Sequence, residues 1–371
     1  MEPRLDAVVV GAGVVGLAVA RALAQAGREV VVIEAERSMG QHASSRNSEV
    51  LHAGIYYPPG SLKARLCVTG RRALVEYCRR RGVAHRLVGK LIVATRPHHR
   101  ATLARLRARA RANGVGDLPL LEAADVTAME PQVRALAGLW SPVTGIIDGH
   151  GLMRALWADA EEHGAMMALD TRLVTAAPKD RGLVVQTGDL TLRCALLVNA
   201  AGLGATGVAA AIQGLPAGAV PVARLCKGSY FSLPGMQFSH LVYPVPDTAS
   251  LGIHVTLDLG GGVRVGPDQQ WVDRVDYEVD PGRAPAFAAA VAQYVPTLDP
   301  AVLAPDYAGI RAKIHGPGQR PPDFVIAGPA EHGIAGLCNL LGIESPGLTA
   351  CLAIAQEVLR TLGIEPSAGE P

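Results

Sequence analysis

The chain has 371 residues and a formal net charge of +2, so it is long enough for more than one domain, and its charge gives no reason to expect nucleic acid as a partner. Nearly half of its residues are hydrophobic, chiefly Ala, Val and Leu, and glycine is abundant, which suits a compact, turn-rich α/β protein. None of the cysteines forms a Cys-x-x-Cys pair and no apolar run reaches about 18 residues, which argues against a zinc site, a redox dithiol and a transmembrane helix, and fits reduced thiols in the cytoplasm.

"DAVVV", Asp6–Val10, is a β-branched run that reads as a buried parallel strand. Such an apolar start can pass for a signal-peptide core. However, Asp6 precedes it, no basic segment leads it and glycines interrupt it, so it reads as folded structure. "GLAVARALAQAG" has helical spacing, with Leu17, Ala20, Leu23 and Ala24 on one face and Gly27 as the stop. "EVVVIEA" is the next strand, so the chain opens as β-α-β. Ser61 suits the cap of a second helix that buries Leu62, Leu66, Ala73, Leu74 and Tyr77. "KLIVATRP" reads as a strand and "HHRATLARLRARARANGV" as a basic helix whose arginines form a solvated face rather than a membrane-surface patch. Asp148 caps a helix that ends at Gly164, and "LVVQTGDLTLRCALLVNAAG" reads as a hairpin followed by a buried strand. From about Pro216 to Pro305 the chain is rich in Pro, Gly and alternating strands. "LCNLLGIESPGLTACLAIAQEVLRTLG" closes it with a strand, a glycine-bearing turn and a helix. This order predicts a discontinuous nucleotide-binding domain, residues 1–85, 143–214 and 306–371, with a second domain, 86–142 and 215–305, inserted into it.

"GAGVVG" places Gly11, Gly13 and Gly16 between the first strand and the first helix. Gly11 allows the tight turn, Gly13 lets the backbone approach a pyrophosphate at the helix N-terminus, and Gly16 lets helix and strand pack closely. Val14 and Val15 belong to the same turn. Glu34, followed by Ala35, ends the second strand, where a carboxylate accepts hydrogen bonds from a ribose. Three features favour FAD over a nicotinamide cofactor. The fingerprint occurs once, with no second βαβ unit. "LLVNAAGLGA" ends a strand in small residues, Ala200, Ala201 and Gly202, which allow close backbone approach. "GIESPGLT", containing Gly342, Ile343, Ser345, Pro346, Gly347, Leu348 and Thr349, opens a helix whose N-terminus could stabilise negative charge on a reduced flavin. Val174 is counted with these as a cofactor contact.

Pieces from one end to the other carry a family likeness: "VVVGAGVVGLAVARAL", "NSEVLHAGIYYPPGSLKARLCV", "GKLIVA", "VNAAGL", "KGSYF", "YPVPD", "LGIHVT", "AGIRAKI" and "GIESPGLTACLAIAQEV". In this order the chain resembles the FAD-dependent oxidoreductases of the D-amino-acid-oxidase superfamily, and most of all the L-2-hydroxyglutarate dehydrogenase family. The resemblance implies a Rossmann-like FAD-binding α/β domain with an inserted substrate domain on a mixed, largely antiparallel sheet. It also implies FAD held without a covalent bond. Ser44, Ser45, Arg46, Asn47 and Ser48 then belong beside the flavin. Well-known members read Gly-His-Asn-Ser-Gly where this chain has Ser45-Arg46-Asn47-Ser48-Glu49, which leaves the substrate open.

Oxidising a 2-hydroxy acid removes a proton from the hydroxyl and a hydride from C2. No side chain accepts a hydride, so the flavin must. His52 is the candidate base and His254 its rival. His98, His99 and His163 read as surface residues. Arg311 is the candidate carboxylate clamp, because its planar fork binds and orients an acid. Lys313 is placed to assist it. Tyr56, Tyr57 and Tyr243 suit the pocket wall, and Lys227 a distal carboxylate. The expected partners are a small acid and an electron acceptor that could be a quinone, a protein or oxygen, with membrane contact peripheral at most. Two other readings compete with this one. The first is a flavin amine oxidase for a glycine-like or N-methylated amino acid, which the Arg46/Glu49 departure favours. The second is a flavin-binding subunit of a larger complex.

Overall fold

The computed structural model describes residues 5–246 and 252–365. Asp247 and Leu251, the ends of two of the family-like pieces, lie outside the described residues. Among the described residues two large sheets organise the molecule, one of eight strands and one of nine. In the first, Leu5–Val10 runs parallel to both Val30–Ile33 and Thr191–Asn199. Leu337–Leu341 adds in parallel to the far end of Thr191–Asn199, pairing Leu197 with Leu337. The valine-rich central strands are buried on both faces, as parallel strands flanked by helices require.

The expected hairpin has a different form. Thr191–Asn199 is one continuous strand of nine residues. Its first half pairs antiparallel with Gly182–Gln186 and its second half is the buried parallel strand. Hydrophobic alternation could not show this, because nothing in the sequence breaks between the two halves.

Helices Val14–Gln25, Leu62–Arg81, Gly149–Glu162 and Gly347–Thr361 pack together beside this sheet. Leu17, Leu23, Leu66, Leu74, Leu156, Ile354 and Val358 share one core there. Local chemistry sets the helix ends. Ser61 Oγ accepts from Ala64 N at 3.1 Å, and Gly82 takes φ 67° after three arginines that suit the helix's negative end. Asp148 accepts from Gly151 N at 2.8 Å, as expected of a cap.

The second sheet is mixed and largely antiparallel, the single parallel pairing among the described residues being Leu241–Pro244 with Lys90–Ala94. Towards one end of it Arg224–Ser232 pairs with Ala304–Lys313, with Cys226 opposite Arg311. Ala304–Lys313 therefore belongs to this sheet, although most of it falls in the stretch 306–371 that the sequence order grouped with the nucleotide-binding elements. Phe231, Phe287, Tyr294 and Val255 fill a core of its own. A small sheet of Val50–Leu51, His85–Arg86 and Gly145–Ile147 lies beside the two. Helix His99–Ala112 does present a solvated face, on which Arg100 and Arg107 pair with Glu122 and Asp117. His99 corrects the surface reading: it is 2% exposed, and its Nδ1 accepts from Thr95 N.

Candidate active site

A cavity of about 1370 Å³ runs from the carboxyl ends of the first sheet's parallel strands to the face of the second sheet. That exceeds the roughly 300–1,000 Å³ usual for a single small ligand. Its first end is built by the glycine turn. Gly11 has φ 103°, and a Cβ there would stand 2.7 Å from Ala200 O. A Cβ on Gly16 would overlap the Gly11 carbonyl oxygen. Gly13 provides no capping side chain, so the first turn of helix Val14–Gln25 faces the cavity, with Ser44 Oγ accepting from Val14 N at 3.0 Å. Glu34 is held rigidly: Oε2 accepts from Ala12 N at 2.6 Å and Oε1 from Glu36 N at 2.9 Å.

These residues fit a dinucleotide. Glu34 suits a ribose, and the Gly11–Gly13 backbone at a helix's positive end suits a pyrophosphate. Val15, Ala35, Val174, Ala200, Ala201 and Gly202 line the same end. Gly16→Ala should therefore yield protein with little bound flavin, read from its visible absorbance; full flavin content would remove the turn from the cofactor's cradle.

Midway, Ser44 to Ser48 form a tight knot. Asn47 Nδ2 donates to Ser44 O, Ser45 Oγ donates to Gly40 O, Ser48 Oγ meets Tyr230 Oη at 2.6 Å, and Tyr307 Oη donates to Asn47 O. Ser45 is thereby turned from the cavity, while Ser44, Arg46, Asn47 and Ser48 line it. The two departures from the family pattern each find a partner. The Arg46 guanidinium lies 4.1 Å over the Tyr277 ring, and Glu49, at φ 51°, accepts from Gly149 N at a helix start. Burial raises the Glu49 carboxyl above its ordinary range, against the Gly149 hydrogen bond.

The far end gathers His52, Tyr56, Tyr57, Tyr243, His254, Arg311 and Lys313 on one lining. Thr349 Oγ1 accepts from His52 N at 3.0 Å and donates to Val50 O, which ties this segment to the last helix. Ser345 Oγ stands 3.2 Å from His52 Nε2. Ile343, Pro346, Gly347 and Leu348 line the cavity beside it, whereas Gly342 does not. His254 Nδ1 meets Gly252 O at 3.0 Å, and its ring stacks on Tyr243 at 3.7 Å. Burial, with Lys90 nearby, pushes both imidazoles down to about 3, so both are neutral at physiological pH. Arg109 Nη1 and Asn113 Nδ2, at the end of helix His99–Ala112, hold the carbonyls of Gly54, Tyr56 and Tyr57.

Arg311 makes no ion pair among the described residues. Its Nη2 donates to Asp268 O at 3.2 Å and its Nη1 reaches Cys226 Sγ. Gly228 gives the guanidinium room, since a Cβ there would come within 2.8 Å of Nη2. Lys313 is spoken for: it pairs with Glu344 at 2.7 Å, which Lys63 also reaches. Burial alone would raise Glu344, but the two lysines more than offset it and hold the carboxyl low. Lys227 is buried against Asp276 at 2.8 Å and does not line the cavity. Tyr230 and Lys63 do line it and went unnoticed in the sequence. Tyr230 stands in "KGSYF", where strand alternation alone could have put it on the cavity face.

The glycine turn and the acid at the strand ends open into a chamber with two buried histidines and an arginine without an ion pair among the described residues, a layout that suits a dinucleotide-dependent oxidoreductase. Residues 6–360 match the FAD dependent oxidoreductase family (DAO), and the chain belongs to it. An L-2-hydroxyglutarate dehydrogenase, mitochondrial, of Arabidopsis thaliana is 41% identical over 96% of this chain and 83% of its own length. The human protein of that name is 32% identical over 71% of this chain and 60% of its own length, so the match spans less than two thirds of that relative. Among solved structures, an FAD-bound L-alpha-glycerophosphate oxidase of Mycoplasma pneumoniae has a TM-score of 0.88 at 25% identity, covering 99% of this chain and 97% of that one. Glycine oxidase from Geobacillus kaustophilus shares the fold, with a TM-score of 0.81 at 21% identity over 99% of this chain and 96% of that one. No helix among the described residues is long and apolar enough to cross a membrane.

Proposed function

We propose that the protein oxidises a small 2-hydroxy acid of the L-2-hydroxyglutarate type to the 2-oxo acid. One observation carries this reading: an unpaired guanidinium and neutral imidazoles share one end of a dinucleotide-sized cavity. Bound FAD supplies the acceptor for the hydride leaving C2. The chain's own residues do the rest. Arg311 binds the substrate carboxylate through its fork and fixes the position of C2. His52 takes the hydroxyl proton. It is the half-buried imidazole of the two, it faces the cavity beside Ser345, and a bound carboxylate raises its proton affinity when needed. Tyr56, Tyr57 and Tyr243 exclude water.

The amine-oxidase reading drew on Arg46 and Glu49. Each is occupied by its own neighbour, Tyr277 or Gly149, so neither argues for an amine substrate. Electrons leave to a quinone, a protein or oxygen, and a cytoplasmic location with at most peripheral membrane contact belongs to the same reading. An anaerobic titration tests it. A 2-hydroxy acid should bleach the flavin, whereas bleaching by amino acids alone would defeat the proposal.

A further inference from the structure

Lys90 opens the otherwise apolar strand Lys90–Ala94 and is 1% exposed. Its ammonium meets no carboxylate and no hydrogen-bond acceptor among the described residues. Instead it lies 4.7 Å from the centre of the Tyr56 ring and 4.6 Å from that of Tyr243. An isolated buried ammonium is expensive, and two aromatic faces compensate it only in part. Burial lowers its proton affinity from 10.5 to about 7, with Cys67 acting the other way. A second unsatisfied group stands beside it: Tyr56 Oη is buried with no hydrogen-bond partner. Tyr56 and Tyr243 both line the far end of the cavity. His254 feels Lys90 and Arg311 together, so two cations bear on this end of the chamber.

We propose that the corner formed by Tyr56, Lys90 and Tyr243 receives the second carboxylate of a dicarboxylic substrate. The phenol groups donate hydrogen bonds, and Lys90, which does not itself line the cavity, supplies charge from behind the rings. One cation with neutral donors suits a single negative charge better than a phosphate dianion. The assignment rests on the 2-hydroxy acid reading above and gives that substrate's far end a seat, since Lys227 is committed to Asp276.

The groups facing Lys90 are His52, His254, Cys67, Tyr56 and Tyr243. The histidines titrate at about 3, Cys67 at about 12, and burial raises both tyrosines. Lys90 is therefore the member of the cluster that titrates near neutrality. Below about 7 it is charged and above that it is neutral, so dicarboxylate capture weakens as pH rises through that value.

The test compares 2-hydroxyglutarate with 2-hydroxypentanoate in anaerobic flavin reduction by the holoenzyme. It also compares glutarate with pentanoate as unreactive ligands read by flavin difference spectra. Lys90→Met should lower kcat/KM for 2-hydroxyglutarate on the order of 100-fold and weaken glutarate similarly, with the monocarboxylates changed less than about twofold. The wild-type alkaline limb near pH 7, present with the dicarboxylate alone, should vanish in that variant. Tyr56→Phe, which removes only an oxygen without a partner, should weaken glutarate to a smaller degree. Equal losses for both acids, or glutarate binding unchanged in Lys90→Met and Tyr56→Phe, would overturn the assignment. If glutarate binds through Lys90 but no hydroxy acid bleaches the flavin, the seat stands and the oxidation reading falls.

Discussion

Arg311→Met should raise the dissociation constant for a 2-hydroxy acid by roughly 10²–10³-fold, with flavin content unchanged. The size follows from the state of the guanidinium. Its anchors are a backbone carbonyl and a thiol, neither of which neutralises it, and Gly228 leaves its Nη2 face uncrowded. A carboxylate arriving there would meet a fork already oriented, so little side-chain entropy is lost on binding. Removing the fork leaves the acid's charge unpaired in a partly buried chamber, which is the expensive outcome. Arg311→Lys should recover only part of the affinity, because a point charge cannot reproduce two parallel hydrogen bonds. Unchanged binding in Arg311→Met, measured by spectral titration with an unreactive acid, would end its role as the clamp.

His52→Ala should slow flavin reduction by roughly 10²–10⁴-fold while FAD binding changes little. Comparable losses in both would point to a structural role instead. His254→Ala is the control, since its ring stacks on Tyr243 and it should disturb binding more than the chemical step. The pH dependence has a definite sign. Both histidines lie at about 3 rather than the ordinary 6.5, so the folded protein keeps them neutral where the unfolded chain would protonate them. The unfolded state therefore binds more protons between those values. Stability from this source is complete above about 6.5 and is lost progressively as pH falls towards 3. For the same reason kcat/KM should show no acid limb near 6.5.

Much of the glycine-turn end of the cavity was legible because its pattern is local. Glycines at fixed offsets, a strand before them and an acid after the next strand are all encoded within one βαβ unit. Ser61 and Asp148 announced their helices in the same way. The far end of the cavity is made of long-range pairings that a two-residue alternation does not specify. Nothing near Lys227 in sequence shows that Asp276 will meet it, and nothing in "YAGIR" shows that this strand lies against Arg224–Ser232. Arg46 and Glu49 looked like changes to the pocket because their neighbours in sequence line it, whereas their partners come from Tyr277 and from the helix start at Gly149. Lys90 was hidden in an apolar strand. A lone charge next to four buried aliphatic residues was the available signal.

The Thr349 tether has a consequence for how the protein comes into being. It spans 297 residues of sequence, linking an early loop to the last helix. A growing polypeptide on the ribosome thus carries its glycine turn long before it can seat His52. Contacts between such distant segments form late, and both ends of the cavity wait for the last helix. Until the final helix docks, helix Val14–Gln25 lacks the partner it packs against, so the glycine turn and the His52 loop are completed by the same late event.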